Sequence, residues 1–146
     1  ELLSEFQVSI PEIGTIKAKR APFVVITSNR TREVHDALKR RCLYHWIDYP
    51  DLEKEVEIVR ARAPEAAAGL AREVAGLVQS LRGMDLYKVP GVAETLDWAR
   101  SLAALGATRI DSTLVNATLG SALKYQEDLE RVREQVPALV EKARGA

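Results

Sequence analysis

The spacing of hydrophobic residues divides the chain into a strand-rich front part and a helical rear part. In the front part, Pro11 and Gly14 mark a turn between Gln7–Ile10 and Thr15–Ala18, which predicts a β-hairpin. From residue 51 onward, apolar residues recur at every third or fourth position, the period of an amphipathic helix. We therefore predict an α+β chain with two domains, residues 1–50 and 51–146.

Two further strands are expected in the front part. Phe23–Thr27 is apolar on both faces, as in a buried parallel strand, and Leu43–Asp48 is the second. A short helix over about Arg32–Lys39 connects them, and the pattern over residues 2–6 fits the end of an amphipathic helix. Because a hairpin and two strands do not cover both faces of a sheet, we expect this part to need further strands or a partner.

Four or five helices are expected in the rear part. Asp51 is a suitable N-cap, and acids at Glu53 and Glu55 suit the positive start of the first helix. Trp98 and Leu102 fit a core face. Pro64 marks a possible helix start, Gly83 and Gly106 mark helix ends, and Asp111 caps a further helix. A last helix is expected from about Ser121, and Pro137 is expected to kink or interrupt it.

Charge is balanced over the chain and uneven along it. The 21 basic and 21 acidic residues cancel, but eight bases lie between Lys17 and Arg41, opposed only by Glu33 and Asp36. This pattern favours a local anion site. Zero net charge and few aromatic residues argue against a nucleic-acid-binding protein.

The single cysteine, Cys42, excludes an internal disulfide and indicates a reducing, cytoplasmic compartment. No apolar run approaches the roughly 20 residues of a membrane helix, so we expect no membrane span. Cys42, His35 and His45 supply fewer ligands than the roughly four of a structural zinc site. No metal-binding residues are therefore predicted.

Two groups of polar residues are candidates for chemistry. Asn29 follows the apolar run Phe23–Thr27 and marks its carboxyl end. Ligands bind at the carboxyl ends of strands in open α/β sheets, although Ser and Asn also simply terminate strands. Arg40 and Arg41 end the short helix, where a cation favours the helix C-terminus. An arginine there could equally contact a phosphate of a neighbouring subunit, because guanidinium binds phosphate oxygens in pairs.

Taken together, these segments resemble the MoxR family of AAA+ ATPases downstream of the Walker B strand. The resemblance is carried by Glu1–Ile10, by Ala21–Asn29 and by Leu38–Tyr49 followed by Pro50, and it covers about residues 1–62 well and the remainder more loosely. Within this family, the sequence is similar to the branch associated with carbon monoxide dehydrogenase and related molybdenum hydroxylases. It implies a partial P-loop NTPase core, the hairpin plus two strands, followed by an all-α AAA+ lid.

The resemblance also implies roles for single residues. Asn29 would be sensor 1, positioning the attacking water, and Arg41 would be the arginine finger, with Arg40 as the second choice. The family's sensor 2 arginine would fall near Thr95, where this chain has no arginine, and Lys88 is a possible substitute. Lys88 and Thr95 are therefore the cofactor-binding candidates.

The chain departs from the family by lacking both Gly-x-x-x-x-Gly-Lys-Ser/Thr and a Walker B strand. The sequence starts at Glu1 inside a helix-like pattern, so we expect a fragment that is inactive alone, whose full-length parent binds ATP and Mg²⁺. The resemblance implies a homo-oligomeric ring that remodels a client metalloenzyme or inserts its metal cofactor. We expect this ring to be a hexamer. The alternative is a non-catalytic helical protein-interaction module, which needs only the helices after residue 51.

Overall fold

The computed structural model describes residues 4–28 and 34–145. Among these residues it contains one two-stranded antiparallel sheet and seven α-helices. The chain forms two compact units, residues 1–47 and 48–146. The predicted boundary, between residues 50 and 51, lies at the start of the second unit, which we call the helical unit; the first is the front unit.

The predicted hairpin is confirmed. Strand β1, Gln7–Ile10, pairs with β2, Gly14–Lys17, in a register that places Gln7 opposite Lys17 and Ile10 opposite Gly14. Gly14 has a φ of +88°, which explains why glycine rather than another residue closes this turn. The pattern of Pro and Gly therefore located both strands to within one residue.

The two further strands of the front unit are not formed in the described residues. Residues 21–28 and 42–48 contain no regular secondary structure apart from a bend, and the Phe23 and Leu43 side chains are almost fully exposed. A strand obtains its ladder hydrogen bonds from a neighbouring strand, and the described residues form no strand beside these segments. The apolar pattern of these segments indicates a preference for strand structure, which the described residues do not adopt there.

The short helix between these segments is α1, Asp36–Lys39, shorter than the predicted Arg32–Lys39. Residues 29–33 lie outside the described residues. At the start of the chain, residues 4–6 form a turn and a bend, and Phe6 has a φ of +53°, so no helix continues to Phe6. Residues 1–3, the rest of that predicted helix end, also lie outside the described part.

The helical unit consists of six α-helices and one short 3₁₀ turn within its described residues. They are α2 (Leu52–Arg62), α3 (Ala68–Arg82), α4 (Val92–Ala104), α5 (Ser112–Thr118), the 3₁₀ turn Leu119–Ser121, α6 (Gln126–Arg133) and α7 (Val136–Arg144). Asp51 and Asp111 act as predicted N-caps: their carboxylates accept backbone N–H bonds from Lys54 and Leu114, each at 2.8 Å. Gly106, with a φ of +76°, follows the end of α4.

Two predicted boundaries were wrong. No helix begins at Pro64, which lies in the turn between α2 and α3, because the Ala66 N–H bonds back to the Ala63 carbonyl. The last helical region does not run from Ser121, which closes the 3₁₀ turn; α6 begins at Gln126. Pro137 lies in the first turn of α7, where its missing N–H costs no helical hydrogen bond. Of the two predicted alternatives, the helix is interrupted, at residues 134–135, and not kinked.

The core of the helical unit is continuous across α2 to α7. Its largest fully buried apolar side chains are Trp98, Leu70, Leu77, Leu81, Leu102, Ile110, Leu119 and Leu123. Trp98 and Leu102 are thus core residues, as predicted. The Trp98 indole N–H donates to the Thr118 hydroxyl at 2.8 Å, so the polar atom of the largest core residue is satisfied.

Candidate functional site

The predicted catalytic residues lie at the end of α1. Asn29 is outside the described residues. Arg40 and Arg41 follow the last turn of α1 and both are exposed. The Arg41 Nη1 donates to the Ala37 carbonyl at 2.6 Å, so this guanidinium already stabilises the C-terminus of its own helix.

This contact is the one expected if the arginine pair stabilises the helix C-terminus, and it is compatible with a phosphate contact as well. A guanidinium carries five N–H donors, and one bond to Ala37 leaves donors for a second acceptor. Arg41 is also exposed, and the acceptor it contacts is a neutral carbonyl. The predicted phosphate contact by Arg40 or Arg41 therefore remains a prediction.

The predicted cofactor-binding residues lie in the helical unit and differ in exposure. Lys88 is exposed in the loop between α3 and α4. Thr95 is fully buried in α4, and its hydroxyl is 2.7 Å from Glu55 Oε1 and 3.1 Å from the Gly91 carbonyl. Since its hydroxyl has two partners and no exposed surface, the structure gives no support for a cofactor contact at Thr95.

Thr95 instead belongs to a buried polar group that we call the Glu55 cluster: Glu55, Gln79, Arg82 and Thr95. Arg82 binds both oxygens of Glu55 with paired bonds of 2.7 Å, and Gln79 Nε2 donates to Glu55 Oε2 at 2.8 Å. The Glu55 side chain is 0% exposed and that of Arg82 is 8% exposed. The paired geometry is the strongest that a carboxylate and a guanidinium form.

The Glu55 cluster also binds the backbone on both sides of it. Gln79 Nε2 donates to the Pro50 carbonyl at 2.8 Å, and Arg82 Nε donates to the Pro90 carbonyl at 2.8 Å. The Arg82 guanidinium lies 4.4 Å from the centre of the Tyr49 ring. The cluster therefore contacts α2, α3, α4 and the segments that precede α2 and α4.

This cluster was not predicted from the sequence. From the sequence, Glu55 is predicted only to suit the positive start of α2, whereas it lies three residues after Leu52 and four before Val59, on the buried face. Arg82 likewise follows Val78 by four positions. A charged residue at a core position of an amphipathic helix is the signal that could have revealed it, because such a residue must find a partner.

Two more carboxylates hold loops of the helical unit in place. Asp128 is buried and accepts the backbone N–H groups of Tyr87 at 2.8 Å and Lys88 at 3.1 Å. Glu73 is also buried; it accepts the Ile110 N–H at 2.8 Å and pairs with Arg109 at 2.7 Å. Their oxygens are thus used to fix the loops after α3 and α4, a structural role.

Two features are absent from the described residues: a group of potential metal ligands and a helix able to cross a membrane. Their histidines, cysteines and carboxylates include no group of three or more that could hold a metal ion. Across residues 4–28 and 34–145, no helix has both the length and the apolar character to cross a membrane. These findings bear only on the part of the chain that the structure describes.

Comparisons with family models, with curated proteins and with solved structures give no match to this chain.

Proposed function

We propose that this chain is part of an AAA+ ATPase of the MoxR type, which couples ATP binding and hydrolysis to the remodelling of a client metalloenzyme or to insertion of its metal cofactor. In this proposal the front unit belongs to the α/β core and the helical unit is the lid. Arg41, or Arg40 in its place, acts on ATP bound by a neighbouring subunit of a ring in the cytoplasm.

One observation carries the proposal: the order of elements around the exposed arginine pair. A hairpin precedes an apolar run that leads to Asn29, a short helix follows with Arg40 and Arg41 directly after it, and a helical unit with its own core begins at residue 48. The exposed apolar side chains of Phe23 and Val25 support a place for this run inside a larger sheet.

The chemistry proposed for Arg41 needs only its charge, its planarity and its exposure. Terminal phosphate oxygens gain negative charge during phosphoryl transfer, and a guanidinium placed beside them lowers the energy of that state. Exposed arginines at the end of α1 fit a polyphosphate, and Lys88 is exposed as well. Bound Mg²⁺ would neutralise phosphate charge; its ligands are expected from Walker motifs, which these 146 residues lack.

The test has two steps. The coding region upstream of Glu1 is read for Gly-x-x-x-x-Gly-Lys-Ser/Thr, roughly 60–80 residues before this chain, given the spacing of βαβ nucleotide folds. The protein that carries it is then assayed for ATP hydrolysis with Arg41→Ala, Arg40→Ala and, as a control at an exposed arginine of the helical unit, Arg133→Ala.

We expect Arg41→Ala to lower turnover by about 10³-fold with nucleotide binding largely kept, because the contact is made mainly during phosphoryl transfer. Arg133→Ala should leave turnover unchanged. A fall in Arg40→Ala alone would move the role to Arg40. Absence of the upstream motif, or full turnover in both variants of the pair, would end the ATPase proposal.

A second candidate, a non-catalytic helical interaction module, is favoured by an exposed aromatic pair. The Tyr87 and Tyr125 rings lie 4.5 Å apart between centres, and Tyr87 is 79% exposed although Asp128 fixes its backbone. Rigid exposed tyrosines are typical anchors of protein interfaces. A full-length protein without ATPase activity that co-elutes with its partner, and loses it in Tyr87→Ala, would support this candidate instead.

A further inference from the structure

Tyr49, Pro50 and Asp51 directly precede α2, and we call them the entry segment. Asp51 is the N-cap of α2, whereas Tyr49 and Pro50 are held by contacts that do not belong to helix formation. The Tyr49 ring covers the Arg82 guanidinium at 4.4 Å, and the Pro50 carbonyl accepts from Gln79. The Asp51 carboxylate accepts the Lys54 N–H and so caps the start of α2. Two consecutive residues before the cap are thus bound to α3.

We propose that the Glu55 cluster is an anchor that makes the entry segment a rigid part of the helical unit, so that backbone flexibility in this region ends before Tyr49. The device is independent of the ATPase proposal, because it rests only on contacts within the helical unit. It assigns Tyr49 a positioning role that its exposed location does not suggest.

The geometry of Gln79 and Arg82 supports this role. One amide nitrogen, Gln79 Nε2, lies 2.8 Å from both the Pro50 carbonyl and Glu55 Oε2, so the carboxylate orients the donor that holds the entry segment. Glu55 also binds Arg82 by two bonds, which fixes the plane of the guanidinium under the Tyr49 ring. The buried charge pair therefore orients both contacts to the entry segment.

The same cluster reaches the start of α4. Arg82 Nε donates to the Pro90 carbonyl, and Glu55 accepts from Thr95 in the first turns of α4. The entry segment and the turn before α4 are thereby held by the same guanidinium. A displacement of that turn would disturb the support of Tyr49, which connects two segments that are about forty residues apart in sequence.

The test measures backbone order parameters from ¹⁵N relaxation of the whole chain. We expect the amide at position 49 to have an order parameter near 0.85, as in the helices, and to fall below about 0.6 in Tyr49→Ala. Tyr49→Phe keeps the ring over the guanidinium and should retain about 0.85. Tyr87→Ala, which removes another exposed tyrosine of the same unit, is the matched control and should leave position 49 unchanged.

Because the Tyr49 side chain is 53% exposed, its loss is not expected to unfold the helical unit, and an unchanged amide spectrum for α3 and α4 checks this. Gln79→Met is the second variant and should also lower the order parameter at position 49. The proposal is overturned if position 49 is already flexible in the unaltered chain, or if it stays rigid in both Tyr49→Ala and Gln79→Met.

Discussion

The two units of this protein differ in how far their large apolar side chains are buried. In the helical unit, Leu77 and Trp98 are buried in a continuous core, whereas in the front unit Phe23 and Leu43 are almost fully exposed. None of the described residues of the front unit is buried. The difference follows from hydrogen bonding: a helix satisfies its backbone within itself, and a strand requires a neighbour.

The comparison also separates two uses of charge. In the front unit, the Arg41 side chain is exposed and contacts a helix-end carbonyl. In the helical unit, carboxylates such as Glu55 and Asp128 are buried and bonded to several donors. Charge is therefore buried and hydrogen-bonded at these positions of the helical unit, whereas the Arg41 guanidinium of the front unit stays exposed. Substitutions in both units test this contrast.

The largest effect is expected for Glu55→Ala. It leaves the Arg82 guanidinium buried without its counterion, which costs about 3–5 kcal/mol of unfolding free energy. Urea denaturation followed by circular dichroism measures the loss. Glu53→Ala is the control on the same helix, because its bond to Arg72 is exposed and worth about 1 kcal/mol or less. Equal losses in the two variants would contradict the buried role of Glu55.

An intermediate effect is expected for Asp128→Ala. The substitution leaves the Tyr87 and Lys88 N–H groups without their acceptor, at a cost of about 1–3 kcal/mol. The same denaturation experiment applies, and Glu127→Ala, the exposed neighbour, should change the stability by no more than about 0.5 kcal/mol. An unchanged midpoint for Asp128→Ala would show that water replaces the carboxylate.

A smaller effect is expected for Asp111→Ala, because it removes only the cap of α5. The lost bond to the Leu114 N–H should cost about 1 kcal/mol. Asp97→Ala, an exposed acid in the interior of α4, provides the comparison and should have less effect. If both variants lose the same stability, the carboxylate of Asp111 contributes through charge rather than through capping.

The smallest effect is expected for Phe23→Ser in the front unit. Since Phe23 is 95% exposed, its removal should change the unfolding free energy by less than about 0.5 kcal/mol. Leu77→Ser in the core is the contrasting variant and should lower stability by several times that amount. A loss of more than about 1 kcal/mol in Phe23→Ser would mean that this side chain is covered in solution.

The helical unit was largely predictable from local sequence signals. Asp51, Asp111 and Gly106 mark helix ends because capping depends on residues only a few positions away. Pro64 wrongly predicted a helix start, since a proline that suits the first turn of a helix also suits the second position of a β-turn. Ser121 was assigned to a helix because the local pattern does not distinguish a 3₁₀ turn from an α-helix.

The front unit and the buried contacts were harder to predict because they depend on distant partners. The strand propensity of Phe23–Thr27 is real, but strand formation depends on a neighbour that local sequence does not specify. Glu55 and Arg82 are 27 positions apart, so neither reveals the other along the chain. Arg40 and Arg41 were located correctly at the end of a short helix, and their proposed ligand awaits the ATPase measurement.

The distribution of tryptophan has a practical consequence. The chain has two, Trp46 in the front unit and Trp98 at the centre of the helical unit, and they differ sharply in exposure, 54% against 0%. Their fluorescence should therefore differ in colour and in quenching by acrylamide, with Trp98 emitting at shorter wavelength. Each unit thus carries its own intrinsic optical probe, and loss of structure in one can be followed separately from the other without any label.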